Sequence, residues 1–436
     1  MKANRILEID LTMVLIVTVL VFFGILFIYS SGVTTSGVLV SSEYRKQIMW
    51  GVFGLAIALF VGISDYRRMF DLSGYIYGSM LLILVYTRIF GKVVNGAQSW
   101  VGIGTFGIQP SEFAKLSTIL YLAHYLASSV LNQDPLKRFL ISCGIVFLPV
   151  VLILSQPDLG TSLVFFPILM MMTYIAGLPF SYIAFLFLFI AITGFLTILP
   201  LWQQFIMRGS YPSLAAFAGP RSVLIFAVAF LGIAIVAVFG YRRYQKRYFH
   251  WIGYFSSVIA ISMFSSLAAR VVLKDYQIMR LIVFLDPNVD PRGSGWNIIQ
   301  SITAIGSGGL WGKGFLQGTQ SHYRFLPQQS TDFIFSIFSE EWGFLGGVTV
   351  FTLYAILSLR MVRIMKTTSD PFGAYIATGL SAIFVFHFLV NVGMAMGVMP
   401  ITGIPLIFMS YGGSSLLSAM TGIGILLSIY MRRFEH

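Results

Sequence analysis

The chain has 436 residues, of which 57% are hydrophobic and 10% are charged, and its formal net charge at pH 7 is +12. Soluble globular domains contain about 45–50% apolar residues, so this composition, with a mean hydropathy of +0.85, excludes that class. No soluble basic segment stands apart from the apolar sequence, so we expect no nucleic-acid partner.

Twelve apolar segments are long enough to cross the ~30 Å hydrocarbon layer of a membrane as helices. They cover residues 9–30, 47–64, 69–90, 111–130, 138–155, 160–178, 180–201, 222–240, 250–272, 333–359, 373–398 and 403–430. The number falls to ten if the pair at 222–272 does not span the membrane. The first segment is too long for a cleavable signal peptide. The sequence therefore predicts an all-α polytopic membrane protein with about twelve transmembrane helices.

Lysine and arginine predict the orientation of these helices, because cytoplasmic loops of membrane proteins carry excess positive charge. Fifteen of the 28 basic residues lie in short turns or tails on one side of the predicted topology: Lys2, Arg5, Arg67, Arg68, Lys137, Arg138, Arg242, Arg243, Lys246, Arg247, Arg360, Arg363, Lys366, Arg432 and Arg433. We take this side as cytoplasmic, so the long connection at 273–332 lies outside the cytoplasm. The remaining positive charge either attracts anionic membrane lipid or serves an anionic substrate on the outer face.

The segment IQPSEFAKL begins a predicted helix at Pro110, a residue that suits the first helical turn. The helix dipole favours Glu112 there, and Lys115 follows three residues later on the same face. Two interpretations stay open: a structural ion pair, or a phosphate contact by Lys115 that Glu112 orients. Asp158, at the junction of two predicted spans, is either a turn residue or a group that faces an outer cavity.

The segment from Tyr276 to Glu341 is polar and rich in glycine within an otherwise apolar chain. In it, Asp286 and Asp290 each precede a proline, which fixes an extended local backbone. The glycines after Asp290 allow close approach by a bulky ligand, and Trp296 offers a flat face for a sugar or an interfacial anchor. Taken alone, these residues leave Asp290, Asp286 and a plain turn aspartate as open alternatives.

The glycines of GSGG at 306–309 predict a tight re-entrant turn packed against helices, whose backbone N–H groups could cradle phosphate. Lys313 is not followed by Ser or Thr, so the turn is not a P-loop. Cys143 is the only cysteine, which excludes a disulfide framework. The histidines are scattered and show no metal-ligand spacing: His124, His250, His322, His387 and His436.

The last part of this segment leads into a predicted helix that starts near Phe333. Asp332 is the expected N-cap of that helix. Glu340 and Glu341 lie about two turns inside it, and ionisable groups in a span are costly enough to suggest function. Adjacent residues point about 100° apart on a helix, so we expect only one of the two to face the interior.

These segments together resemble the SEDS family (shape, elongation, division and sporulation). The matching motifs are NGAQSWVGIGTFGIQPSEFAKL at 95–116, QPDLGTS at 156–162, VDPRGSGW at 289–296, and NVGMAMGVMPITGIPLIFMSYGGSS at 391–415. GKGFLQGTQ at 312–320 resembles the elongation branch of the family more than the division branch. Gln328 stands where the family commonly has a glutamate.

The resemblance implies one integral membrane domain over residues 1–436, with a ten-helix core and an extracytoplasmic catalytic loop at 273–332. The apparent extra helix pair within 202–272 departs from the family pattern. It implies a peptidoglycan glycosyltransferase of the bacterial cytoplasmic (inner) membrane that polymerises lipid II on the outer face during cell elongation. The implied partner is a class B penicillin-binding protein, a transpeptidase.

By this resemblance Asp290 is the catalytic residue, and Trp100, Glu112, Lys115, Asp158 and Arg280 match other positions tied to activity. A diphosphate leaving group needs no strong general acid, so one base that deprotonates the acceptor hydroxyl is sufficient for an inverting single displacement. Cations would stabilise the departing charge, and the candidates are Lys115, Arg280, Arg292, Lys313 or a divalent ion such as Mg²⁺. No metal site or other cofactor is assigned.

Two other functions fit a polytopic protein with polar loops. A lipid-linked sugar flippase would also turn charges toward a cavity, but transporters often show two related halves, and the sequence shows no such repeat. A non-catalytic scaffold for a cell-wall synthase would leave Asp290 as a plain turn residue.

Overall fold

The computed structural model describes residues 9–94, 96–103, 106–129, 134–207, 217–272, 275–291, 293–323 and 325–434. Two compact units emerge from the packing of the chain. The first contains Met1–Leu178 and Asn297–His436, and the second contains Pro179–Trp296.

Helices dominate both units. In chain order they are α1 (Leu11–Ser31), α2 (Glu43–Ile63), α3 (Arg68–Phe90), α4 (Pro110–Ser128), α5 (Pro135–Ser155), α6 (Leu159–Leu163), α7 (Phe165–Ile175), α8 (Phe180–Trp202), α9 (Pro220–Tyr244), α10 (Arg247–Val272), α11 (Asp275–Leu285), α12 (Ser294–Ser307), α13 (Thr319–His322), α14 (Ile334–Thr367), α15 (Pro371–Ala395) and α16 (Gly413–Met431). A π-helical turn, Gln203–Met207, extends α8, and a 3-10 turn, Pro287–Val289, follows α11.

The predicted all-α polytopic class is confirmed. Ten helices in the described ranges are long and apolar enough to cross a membrane: α1, α2, α3, α5, α8, α9, α10, α14, α15 and α16. The other two predicted spans are also helical, as α4 and as the shorter pair α6 and α7. Helix α4 carries Glu112 and Lys115, but it is largely buried. Its polar groups therefore face protein, which explains why α4 is helical without being strongly apolar.

Helices α15 and α16 form the centre of the first unit. Within the 18-residue apolar stretch of each helix, 78% of the residues are buried in α15 and 72% in α16, whereas 17% are buried in α3. Glycines bring neighbouring helices close to them. A side chain at Gly424, on α16, would collide with the backbone of Ala58 on α2, and one at Gly24, on α1, with the backbone of Met409 in the connection between α15 and α16. Small residues at helix interfaces are the usual means of close packing in membranes.

The turn after α12 packs into a break in α14. At Gly343 the backbone leaves the helical conformation, with φ of 64° and ψ of −160°. The N–H groups of Phe344 and Leu345 therefore donate to Gly309 and Leu310, while the carbonyls of Glu340 and Glu341 accept from the turn, from Lys313 and Gly314. The predicted tight turn packed against a helix is confirmed, and the Lys313 and Gly314 N–H groups donate to α14.

The second unit is built on α8, α9 and α10, around Leu196, Val223, Ala227 and Met263. Pro200 has no N–H, so the Leu196 carbonyl lacks its helical donor. Arg270 fills this gap with a 2.5 Å hydrogen bond.

The segment 273–332, predicted as a loop, contains α11, a 3-10 turn, α12 and α13 among its described residues. These helices are short, and α11 mixes apolar residues with Arg280, so no long apolar run marks them in the sequence. The sequence therefore predicted the position of this region in the chain but not its helices.

Candidate active site

Trp100 lies in a three-stranded antiparallel sheet that precedes α4. The strands are β1 (Lys92–Val94), β2 (Ala97–Ile103) and β3 (Phe106–Ile108), in that order. The half-buried Trp100 indole covers Gly107, where an added Cβ would lie 2.9 Å from the ring. The Gln98 N–H donates to the Gln156 carbonyl at 3.2 Å. The sheet is thus anchored to the end of α5, close to Asp158.

Glu112 and Lys115 form a buried ion pair. The Lys115 Nζ donates to both Glu112 carboxylate oxygens at 2.9 Å. Lys115 is 1% exposed and Glu112 is 4% exposed. The third partner is His387 Nε2, at 3.2 Å. Because His387 Nδ1 lies 2.9 Å from the Pro405 carbonyl, which can only accept, Nδ1 carries the proton and Nε2 accepts from Lys115. All three ammonium protons are therefore used.

Asp158 joins the start of α6 to the start of α4. Its side chain is the N-cap of α6, accepting from the Thr161 N–H at 3.1 Å and the Thr161 hydroxyl at 2.9 Å. It also accepts from Gln109 Nε2 at 2.8 Å. Burial raises the pKa of the Asp158 carboxyl, and the nearby Glu112 carboxylate adds to this rise, although the Thr161 bonds oppose it. The structure thus gives Asp158 the turn role and a link to the Glu112 helix.

Lys313 contacts Glu340, which organises the loop before α14. The Lys313 Nζ donates to Glu340 at 2.8 Å and to Thr319 Oγ1 at 2.7 Å. Glu340 also accepts from the N–H groups of Gln320 and Ser321, at 2.9 and 3.2 Å. The Lys313 side chain remains 26% exposed, whereas the Glu340 side chain is fully buried. Of the cations predicted for the first unit, Lys313 is the more accessible.

Glu341 is buried as well, so the expectation that only one of Glu340 and Glu341 faces the interior is wrong. Glu341 accepts from the Ser30 hydroxyl and from the Leu316 N–H, and its carboxylate lies 3.5 Å from His322 Nε2. The loop between α12 and α14 wraps over this part of α14, so two side chains about 100° apart both meet protein. The neighbouring Glu341 carboxylate raises the pKa of His322, against the effect of burial.

Asp332 is not the N-cap of α14, which corrects the prediction. The helix begins at Ile334 with Phe333 as N-cap. Asp332 instead belongs to a turn in which its N–H and that of Thr331 donate to the Gln328 carbonyl. Gln328 has a φ of 51°, and this left-handed conformation closes the turn before the helix starts.

Asp290 and Asp286 lie in the second unit, at the two ends of the 3-10 turn. Asp286 caps that turn, because its Oδ1 accepts from the Asn288 N–H at 2.9 Å and from Asn288 Nδ2 at 3.0 Å. The half-buried Asp290 sits over a glycine backbone, and a side chain at Gly293 would collide with its carboxylate. The Asp290 carbonyl accepts from the Gly295 N–H at 3.0 Å. The glycines of this motif are therefore required by packing around Asp290.

The remaining predicted residues divide between the units. Arg280, on α11, and Trp296, at the start of α12, belong to the second unit and are half-buried. Arg292 lies outside the described residues. Within the first unit the structure brings Glu112, Lys115 and Asp158 together.

Several side chains of these clusters were not singled out from the sequence. His387 and Gln109 hold Lys115 and Asp158. Gln109 lies within the motif at 95–116, whereas His387 lies outside the matching motifs. Over the part of the chain that is described, no group of three or more His, Cys, Asp or Glu side chains gathers as a metal site.

Comparisons with known proteins relate the whole chain to one family. The FTSW_RODA_SPOVE family model, described as cell cycle protein, matches residues 10–211 and 222–435. Peptidoglycan glycosyltransferase RodA of Treponema pallidum (strain Nichols) is 50% identical over 435 residues, covering 99% of this chain and 100% of the relative. Peptidoglycan glycosyltransferase MrdB of Escherichia coli (strain K12) is 31% identical over 426 residues, covering 98% and 94%.

Solved structures agree on the fold. One similar chain comes from a solved structure of a peptidoglycan synthase complex that coordinates polymerization and crosslinking. Its TM-score is 0.67 at 25% identity, and the match covers 98% of this chain and 99% of that one. The crystal structure of Thermus thermophilus rod shape determining protein RodA has a TM-score of 0.60 at 23% identity, covering 98% of both, and is similar in fold alone. The chain is a multi-pass membrane protein and belongs to the FtsW, RodA and SpoVE family of cell cycle proteins, the SEDS family that its motifs resemble.

Proposed function

We propose that the chain is a peptidoglycan glycosyltransferase that polymerises lipid II into glycan strands during cell elongation. Two relatives that align over nearly the whole chain carry the name peptidoglycan glycosyltransferase. The observation that carries the proposal is the turn at Asp290, where a half-buried carboxylate lies over the backbone of Gly293. Because residue 293 is a glycine, it places no side chain of its own against this carboxylate.

In the proposed reaction Asp290 is the general base. It takes the proton of the acceptor sugar hydroxyl as that oxygen attacks the anomeric carbon of the donor, and undecaprenyl diphosphate leaves from the opposite face. One displacement inverts the configuration at that carbon. Asp286, whose carboxylate caps the 3-10 turn through Asn288, is the other candidate for this base, and the motif VDPRGSGW favours Asp290.

Positive charge must offset the negative charge that develops on the leaving diphosphate. Arg280, which is half-buried on α11 in the same unit as Asp290, is the proposed source among the described residues. Arg292, of the same motif as Asp290, is a further proposed source. A divalent cation such as Mg²⁺ that arrives with the diphosphate is an alternative, which titration of Mg²⁺ into chelator-treated protein tests.

Lys115 has a different proposed part. Its three N–H donors are held by Glu112 and His387, so contact with a phosphate would require breaking one of these bonds. We therefore propose that Glu112 and Lys115 hold α4 against α15. Trp100, in the sheet before α4, and Asp158, at the start of α6, are the proposed contacts with the substrate in this unit.

The proposed location is the bacterial cytoplasmic membrane, with the Asp290 turn on the extracytoplasmic face, where the excess of basic residues in the opposite short turns would place it. The proposed partner is a class B penicillin-binding protein. Support for this partner comes from the structural relative of the polymerization and crosslinking complex.

The test is polymerisation of fluorescent lipid II by the purified full-length protein, with and without a class B penicillin-binding protein. A positioned general base typically contributes about 10²–10⁴-fold, so Asp290→Asn is expected to lose that much rate at an unchanged melting temperature. Asp286→Asn is the matched control, since asparagine also caps turns, and it should keep most of the activity. Full activity of Asp290→Asn would refute the assignment, and movement of lipid II across sealed vesicles without polymer would favour a flippase.

A further inference from the structure

The turn between α9 and α10 carries a cluster of exposed positive charges. All eight residues from 241 to 248 are exposed. Four of them are cations: Arg242, Arg243, Lys246 and Arg247. No aspartate or glutamate occurs between residues 159 and 274. Within the described part of the chain, none of the four has a side-chain hydrogen bond or ion pair, so the protein leaves this charge to an outside partner.

This turn is rigid in construction. Gln245 takes the left-handed conformation, with φ of 49°, and its N–H donates to the Tyr241 carbonyl at 2.8 Å. The two helices touch immediately behind it, since a Cβ at Gly240 would lie 2.7 Å from the Phe249 ring. Further along, Gly253 faces Ala237, at 3.5 Å between the added Cβ and the alanine methyl. A fixed pair of helix ends presents the cations, which lowers the entropy lost on binding.

The surroundings of the cations are those expected at the depth of lipid headgroups. Val236 and Phe239, on the last apolar turn of α9, are 68% and 66% exposed, as expected for lipid-facing residues. Arg242 follows Phe239 by three residues, about 5 Å along the helix at 1.5 Å per residue. Tyr244 and Trp251 are 64% and 50% exposed, and such aromatic side chains favour the membrane–water interface.

We propose that this turn binds an anionic glycerophospholipid that carries two phosphate groups, of the cardiolipin type. Two cations end α9 and two lie at the start of α10, so a single phosphate cannot neutralise both pairs. Two phosphates joined through one glycerol offer one anion to each pair, and the acyl chains run along the exposed apolar faces of the same helices. An acidic protein segment would gain the charge but not the contact with these apolar faces.

The experiment measures binding of labelled cardiolipin to purified full-length protein in neutral detergent, with phosphatidylglycerol at equal phosphate concentration and phosphatidylcholine as references. The test variant is Arg242→Gln with Arg243→Gln. The matched control is Arg363→Gln with Lys366→Gln, which removes two exposed charges at the end of α14. Each cation near an anionic surface contributes about fivefold in affinity, so the test variant should bind cardiolipin about 25-fold more weakly than wild type.

The proposal requires wild type to prefer cardiolipin over phosphatidylglycerol and the control to bind as wild type does. Equal losses in test and control variants would reduce the effect to net charge and overturn it. Equal binding of the two anionic lipids would overturn the two-phosphate site. Cardiolipin binding that survives in the test variant would leave the turn to an acidic partner and overturn the proposal. Melting temperatures of both variants without added lipid should match wild type, because none of the replaced side chains is buried.

Discussion

Replacement of Lys115 by methionine tests the buried charge cluster of the first unit. Methionine keeps the length of the side chain and removes its charge and all three donors. Glu112, which is 4% exposed, would keep a buried carboxylate without its cation. Removing one partner of a buried ion pair costs about 3–5 kcal/mol, mostly because the other charge stays buried and unpaired. We therefore expect Lys115→Met to destabilise the protein by that amount.

The same reasoning predicts rescue by a second change. Glu112→Gln on the Lys115→Met background removes the stranded charge, and a neutral replacement of a buried pair is often close to neutral in stability. The double variant should therefore be more stable than Lys115→Met alone, with an interaction energy of about 2–3 kcal/mol. Lys137→Met, at an exposed lysine, is the control and should change stability by less than about 0.5 kcal/mol.

Thermal unfolding in detergent measures these effects through the single thiol of the chain. Cys143, on α5, is half-buried, so a dye that fluoresces on reaction with a thiol reports its exposure as the protein unfolds. A wild-type melting curve for Lys115→Met would refute the buried-pair reasoning. So would a double variant whose loss equals the sum of the two single losses, because independent sites add and coupled ones do not.

Two further predictions concern histidines. His387→Gln keeps an acceptor for Lys115, so its stability should stay within about 1 kcal/mol of wild type. His387→Leu leaves a buried donor of Lys115 without a partner and should lower stability by about 1–3 kcal/mol. Thermal melts of the two variants check this order. The raised pKa of His322 means that its protonated form stabilises the fold beside Glu341, fully below pH 6.5, and that this stability is lost as the pH rises through the raised value. Melting temperature should therefore fall over that range in wild type and stay flatter in His322→Gln, and parallel curves would contradict the pairing.

Hydrophobic length predicted most of the fold. The ten helices of the described ranges that are long and apolar enough to cross a membrane follow from apolar runs, since helices that long satisfy their backbone groups internally. The short helices α11 and α12 were missed because 11 and 14 residues mixed with polar groups leave no such run. The N-cap at Asp332 was wrong because the turn at Gln328 sets the helix start, and that turn depends on packing beyond the local sequence.

The site was predicted less completely than the fold, for a related reason. Motif residues such as Glu112 and Lys115 were found as a pair because they lie three residues apart on one helix. His387, which completes that cluster, is 272 positions away from Lys115, and no local pattern connects them. The burial of both Glu340 and Glu341 likewise depends on the loop that fills the break at Gly343.

Buried charges whose hydrogen bonds are all made within the protein contribute less to ligand binding than exposed charges do. In the first unit, Glu112 and Lys115 use their polar atoms on each other and on neighbours, and they are nearly inaccessible. A buried pair that is fully bonded adds little to ligand affinity, since the bonds to a ligand would replace bonds that already exist. Lys313 has a 26% exposed side chain, and its partner Glu340 also accepts from the Gln320 and Ser321 N–H groups. Loss of Lys115 and loss of Lys313 are therefore both expected to lower stability, and the smaller effect is expected at Lys313, because its partner Glu340 keeps the N–H donors of Gln320 and Ser321.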